Sequence, residues 1–132
     1  MSSLVFLTGA TGFVGSHVAE SLMRAGYRVR CAVRATSDTR WIEGREVETV
    51  TIDLSSRSML EAAIDGVEHV VHADVLTRAR YDADYFFVNA EITEIIASPA
   101  PRASVRRFVL VSSLAARGPD GGRGPACPYG AS

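Results

Sequence analysis

Residues 8 to 15 read Thr-Gly-Ala-Thr-Gly-Phe-Val-Gly, directly behind the apolar run Leu4-Val5-Phe6-Leu7. The run predicts a short buried strand, and the glycines at 9, 12 and 15 fall where that strand must give way to a helix. Each glycine has a distinct use in such a turn. Gly9 can enter the left-handed region that closes a tight turn. Gly12 leaves no Cβ between the backbone and a bulky anion, and Gly15 lets the new helix press against the sheet. The first N–H groups of a helix have no intrahelical acceptor, and its dipole favours negative charge there. The spacing is three-three, whereas the commonest fingerprint is two-three, so the flanking strand and helix carry as much of the reading as the glycines do. The segment reads as a turn that binds the diphosphate of a dinucleotide.

The rest of the chain repeats the strand–helix alternation. The spacing predicts a strand over Leu4–Thr8 and a helix over Phe13–Ala25, with Val14, Val18 and Leu22 on one face and Gly26 as its stop. A strand follows over Arg28–Arg34, where Val29, Cys31 and Val33 alternate with arginines on a more exposed side. Val47–Ile52 is the third strand. Ser55 or Ser56 caps a short helix that runs to Ile64 and ends at Gly66. Val67–His72 is the fourth strand, Asp84–Ala97 a helix stopped by Pro99 and Pro101, and Arg107–Ser112 the fifth strand. Such alternation implies an α/β fold: a three-layer Rossmann arrangement, doubly wound, with a parallel sheet in the order 3-2-1-4-5. Ligands bind where that order reverses, between strands 1 and 4. Residues 1–132 are expected to form a single NAD(P)-binding domain. The stretch Gly118–Pro128, rich in glycine and proline, reads as a loop.

Composition narrows the partners. Apolar residues make up 47% of 132, enough for a packed core, and the net charge is −1. A balance near neutrality gives no electrostatic case for nucleic acid or an anionic membrane as partner. No apolar stretch approaches the length of a membrane span. Two cysteines, Cys31 and Cys127, suit free thiols in a reducing compartment, and the sequence runs straight into its first strand without a basic leader, so a cytoplasmic protein is expected. No metal site is expected. His69 and His72, three apart on a strand, face opposite sides and cannot share a metal. His17 is expected to be packed or capped, the arginines at 102, 106 and 107 to form a solvated turn, and Trp41 to cover either the sheet edge or an adenine pocket.

Taken together, five spaced motifs resemble those of the extended short-chain dehydrogenase/reductases, the epimerase/dehydratase group. Thr8 to Gly15 is similar to the opening motif, with Gly9, Thr11, Gly12, Phe13, Val14 and Gly15 as coenzyme contacts. Asp53-Leu54 ends the third strand, where the family holds the adenine ring. His72-Ala73 ends the fourth, with Ala73 beside the coenzyme, and Asn89 resembles the family's helix asparagine. Ser112-Ser113 closes the fifth strand, where the resemblance makes Ser113 the catalytic serine; Ser112, its neighbour on the strand, is expected to point to the opposite face and is counted among the coenzyme contacts. Tyr129-Gly130-Ala131-Ser132 resembles the start of the tyrosine-x-x-x-lysine motif. The lysine is expected at the position after Ser132, and the chain reads as the coenzyme-binding part of a longer enzyme that is inactive without the remainder. The helix carrying Asn89 departs from the family at Ile92, Pro99 and Pro101.

The resemblance implies a definite chemistry. Hydride transfer to or from a carbonyl carbon leaves an oxygen that must gain or lose a proton. Tyr129 would be the acid/base, its hydroxyl drawn from its ordinary pKa of about 10 toward neutrality by the lysine cation. Ser113 would orient the same oxygen. The substrate would be a nucleotide-sugar or a small hydroxy/keto compound, and the assembly a homodimer. Coenzyme choice turns on the end of strand 2. An acidic residue there binds the ribose diol of NAD, but this chain places Arg34 after Val33, which suits the 2′-phosphate of NADP. NADP is therefore the preferred coenzyme and NAD the alternative. A coenzyme-binding sensor without turnover is the rival reading. A nucleoside-triphosphate hydrolase fares badly, since no Gly-Lys-Ser/Thr follows the turn to reach a terminal phosphate or magnesium.

Overall fold

The structure, a computed structural model, describes residues 2–74, 90, 92–97 and 104–112. Five strands lie parallel: β1 (Leu4–Thr8), β2 (Arg28–Val33), β3 (Glu48–Thr51), β4 (His69–His72) and β5 (Arg107–Leu110). Their order is β3-β2-β1-β4-β5, as the alternation predicts, so the chain reverses its winding between β1 and β4. β3, β4 and β5 are each shorter than the sequence runs suggest. The helices are α1 (Phe13–Arg24), α2 (Arg57–Ile64) and α3 (Ile92–Ala97). Of the helix expected over 84–97, the part before Ala90 lies outside the described residues, as do Pro99, Pro101 and the loop over 118–128.

Alternation along the strands makes two cores, one per face. Leu4, Phe6, Ala32 and Val70 join Leu60, Ile64, Ile92 and Ile96, so α2 and α3 cover one side of the sheet. Leu7, Val29, Cys31 and Val33 join Ala19, with Val18 and Leu22 packed against them, so α1 covers the other. Burial without a charged partner pushes the Cys31 thiol up to about 11, which leaves it inert.

The helix ends follow their local chemistry. Ser56 caps α2 by accepting a hydrogen bond from the Met59 N–H at 3.4 Å. α1 ends in a Schellman arrangement, Gly26 N–H to the Met23 carbonyl and Tyr27 N–H to the Leu22 carbonyl, both at 3.0 Å, with Gly26 at φ +87°.

Two features depart from the sequence reading. Of the face expected for α1, Val18 and Leu22 pack partly buried against the core but Val14 stands 51% exposed, and the residues buried outright are Gly15, Ser16 and Ala19. The arginine side of β2 is also less open than its pattern suggests. Arg30 donates from Nε to Glu48 (2.9 Å) and from its Nη1 to the carbonyls of Ala63 (2.7 Å) and Asp65 (3.1 Å) at the end of α2. A guanidinium there satisfies orphan carbonyls and the negative end of the helix dipole. Arg30 and then Arg28 hold the Glu48 carboxyl below the usual range. Replacing Arg30 by methionine is expected to cost about 1 kcal/mol of stability in urea unfolding, because the carbonyls of Ala63 and Asp65 and the Glu48 carboxylate lose their donor. A loss below about 0.5 kcal/mol would show that solvent replaces the guanidinium without penalty.

Candidate coenzyme-binding site

The C-terminal ends of β1, β2, β3 and β4 open on a cleft at the point where the strand order reverses. Gly9 and Thr11 form one wall, Ala32, Val33 and Arg34 a second, Ile52 and Leu54 a third, and Ser37 and Asp74 complete the lining.

The glycine turn is built by backbone contact on three levels. Gly9 has φ +76°, and a Cβ on it would fall 2.6 Å from the carbonyl carbon and oxygen of Ala73. A Cβ on Gly15 would fall 1.9 Å from the Gly9 carbonyl oxygen and 2.4 Å from its carbon. The end of β4, the turn after β1 and the first turn of α1 thus stack with no side chain between them. Gly15 brings the helix against the turn itself, and that contact, more than contact with the sheet, is what requires a glycine. Gly12 differs: its φ is −88°, and a Cβ there would meet the Gly9 oxygen at an ordinary 3.4 Å. The fold therefore tolerates a side chain at position 12.

Gly12 is also the N-cap of α1, and no side chain caps it. No acidic residue sits in the first turn. The first-turn N–H groups and the positive end of the dipole are left for an external anion. Phe13 and Val14 follow, 80% and 51% exposed, with His17 edge-on to the Phe13 ring at 4.9 Å between centroids. His17 is exposed on that helix and makes this one ring contact.

On the far side of the cleft, Ser37 clamps the turn after β2. Its Oγ accepts from the Arg34 N–H at 2.9 Å, and its N–H donates to the Arg34 carbonyl at 3.0 Å. The Arg34 guanidinium has no hydrogen bond or ion pair among the described residues. Asp38, the next carboxylate along the chain, is bound to Arg40, which holds its carboxyl below the usual range. The Asp53 side chain turns back onto Ser55, accepting from its N–H (2.9 Å) and its hydroxyl (2.6 Å), so Leu54 is the residue of that pair that faces the cleft. Trp41 is 57% exposed and lines no part of the cleft; its neighbour Ile42 is the buried one.

Ser112 lies exposed just beyond β5. Asn89, Ser113 and Tyr129 lie outside the described residues, as does Cys127. His69 and His72 do face opposite sides: His69 is edge-on to Tyr27, and His72 is bonded to Thr8 on the other side of the sheet. Among the described residues no cluster of three or more His, Cys, Asp or Glu could hold a metal, and no helix is long and apolar enough to cross a membrane. Sequence reasoning missed Ser37 and Asp74. The polar residues after Arg34 were a signal for the first, while the second follows only once β4 is placed beside β1.

These residues fit a nicotinamide dinucleotide. The cradle needs glycine at 9 and 15 for its own packing but not at 12, and the helix mouth is uncapped. The comparisons agree. The sequence model of the NAD dependent epimerase/dehydratase family matches residues 5–132. A ceramide reductase of Caulobacter vibrioides is 40% identical over 116 residues, 88% of this chain and 36% of the relative. Ketoreductase sphI of Aspergillus fumigatus is 35% identical over 120 residues, again 36% of the relative. Among solved structures, a short-chain dehydrogenase/reductase superfamily protein from Agrobacterium tumefaciens with bound NAD superposes with a TM-score of 0.77 at 32% identity, over 97% of this chain and 41% of that one. The chain thus spans little more than a third of the length of the curated relatives it matches.

Proposed function

The chain belongs to the NAD-dependent epimerase/dehydratase family, and from that premise we propose that it is the coenzyme-binding part of an NAD(P)-dependent oxidoreductase acting on a carbonyl or hydroxyl carbon. The observation that carries the reading is the uncapped mouth of α1, held by the Ala73–Gly9–Gly15 backbone stack at the reversal of strand order. The relatives named a reductase and a ketoreductase favour a small hydroxy/keto compound as substrate over a nucleotide-sugar. A sensor without turnover has no support among them. The family resemblance adds a homodimer, and Cys31, a buried free thiol, suits a reducing compartment such as the cytoplasm.

When bound, the nicotinamide supplies or takes up a hydride. This chain's residues do the rest. The N–H groups at the head of α1 hold the diphosphate. Gly9, Thr11 and Leu54 wall the cleft, and Ala73 backs Gly9. Asp53 and Asn89 are assigned to the coenzyme by resemblance, as is Ser112. Ser113 orients the substrate oxygen, and the Tyr129 hydroxyl gives that oxygen its proton in reduction or takes it in oxidation. The binding test is calorimetric titration of the full chain with NADPH and NADH; no heat with either ends the reading.

NADP is the favoured coenzyme. Arg34 lines the cleft with its guanidinium unengaged among the described residues, where a diol-binding carboxylate would otherwise stand. A planar fork suits a 2′-phosphate. Arg34→Ala is expected to weaken NADPH binding about tenfold and leave NADH binding unchanged. An unchanged ratio of the two dissociation constants removes Arg34 from the argument.

A further inference from the structure

The ends of β1 and β4 are joined by a buried polar relay that none of the coenzyme contacts uses. Thr8 and His72 are 0% and 1% exposed. Thr8 Oγ1 lies 2.5 Å from His72 Nδ1, and His72 Nε2 lies 3.0 Å from the hydroxyl of Thr93 on α3. Thr8 Oγ1 also accepts from the backbone N–H groups of Ala73 at 3.2 Å and Asp74 at 3.3 Å.

Donor counting fixes the proton. A hydroxyl has one hydrogen and two acceptor lone pairs. The two N–H groups occupy the lone pairs, so the Thr8 hydrogen goes to His72 Nδ1. That nitrogen is therefore an acceptor, and the ring carries its hydrogen on Nε2 and donates it to Thr93. Burial holds His72 below the ordinary histidine range, with the Asp74 carboxylate acting weakly in the opposite sense.

The alternative proton placement shows what the arrangement secures. A hydrogen on Nδ1 would present three donors to a hydroxyl with two lone pairs, and one backbone N–H would be displaced. Ala73 has a second acceptor, the Thr8 carbonyl at 3.3 Å, but Asp74 has no other acceptor among the described residues. Asp74 lines the cleft, and Ala73 is the residue packed on Gly9.

We propose that His72 is a positioning residue for the coenzyme cleft: as the Nε2–H tautomer it accepts from Thr8 and so leaves the Thr8 hydroxyl to hold the Ala73–Asp74 turn against Gly9. This rests on the reading of the cleft as a coenzyme site.

Two amides separate the two ring nitrogens. In His72→Asn the amide oxygen replaces Nδ1 as acceptor, whereas in His72→Gln the amide nitrogen replaces Nε2 as donor. In the full chain, the asparagine variant is expected to bind NADPH within about threefold of wild type and the glutamine variant about tenfold more weakly, while both lose similar thermal stability. Nitrogen-15 spectra of the wild type should show Nδ1 unprotonated and Nε2 protonated. Equal affinities in the two variants, or affinities that simply follow melting temperature, overturn the positioning role; so does the opposite tautomer. If either variant fails to fold, the wild-type tautomer decides alone. A wild type that binds neither coenzyme refutes the coenzyme reading instead, and the same spectrum still judges the relay.

Discussion

Gly15→Ala is expected to lower the melting temperature by roughly 10 °C and to abolish measurable coenzyme binding, whereas Gly12→Ala should leave the melting temperature unchanged and still weaken binding at least about tenfold. The contrast follows from what each added methyl meets. At position 15 it would stand 1.9 Å from a backbone oxygen, not from the yielding end of a side chain. The obstructed group is the Gly9 carbonyl, and Gly9 is itself pressed against Ala73, so the turn has little room to retreat. Either α1 moves away and its N–H groups leave the diphosphate, or the sheet gives way; over-packing of this kind costs about 1–3 kcal/mol and more where the neighbour is rigid. At position 12 the methyl meets nothing closer than 3.4 Å, so any loss there has to come from the ligand. Thermal melts and titrations of both variants would decide the matter. A stable Gly15→Ala protein with full affinity contradicts the stacked-backbone account, and a Gly12→Ala protein with full affinity removes the reason for placing an anion at the helix mouth.

Tyr129→Phe in the full-length enzyme is expected to reduce kcat by about a hundredfold to ten-thousandfold while coenzyme affinity stays at the wild-type value. Phenylalanine keeps the ring and removes only the hydroxyl, so under the proposed role of Tyr129 the substrate oxygen would lose its proton partner and nothing else. The measurement is steady-state turnover beside a direct titration of the coenzyme. A phenylalanine variant within tenfold of wild type would assign the proton transfer elsewhere. A matched loss of affinity would make Tyr129 a binding residue.

Much of the fold was legible because its signals are local. The strand order follows from alternation alone, and Ser56, Gly26 and Gly66 mark helix ends by side chain or by left-handed backbone, with φ +87° at Gly26 and +74° at Gly66. What stayed hidden depends on distance or on the identity of a neighbour. Periodicity places Val14, Val18 and Leu22 on one face, and Val18 and Leu22 do pack against the core, but the residues buried outright beneath α1 are Gly15, Ser16 and Ala19, which hydropathy does not single out. An arginine in a strand reads as solvent-facing until the end of α2 arrives over Arg30 with bare carbonyls. In the site, the glycine turn and Arg34 were readable from sequence, but Asp74 was not: its place depends on the register that sets Thr8 opposite His72.

That register has a consequence for the life of the protein. The Thr8–His72 bond joins residues 64 apart in the chain, and the contacts of Thr8 with Ala73 and Asp74 span 65 and 66. The glycine turn thus lies among the first residues and is complete only with β4 beside β1, a closure of high sequence separation and correspondingly higher entropic cost. On the proposed function, the coenzyme would recognise only that assembled state, and its binding energy would then add to the native side of the folding equilibrium. If that reading holds, cellular abundance of the protein should track the supply of nicotinamide dinucleotide, and starvation for it would expose the chain to proteases even while its gene is fully expressed.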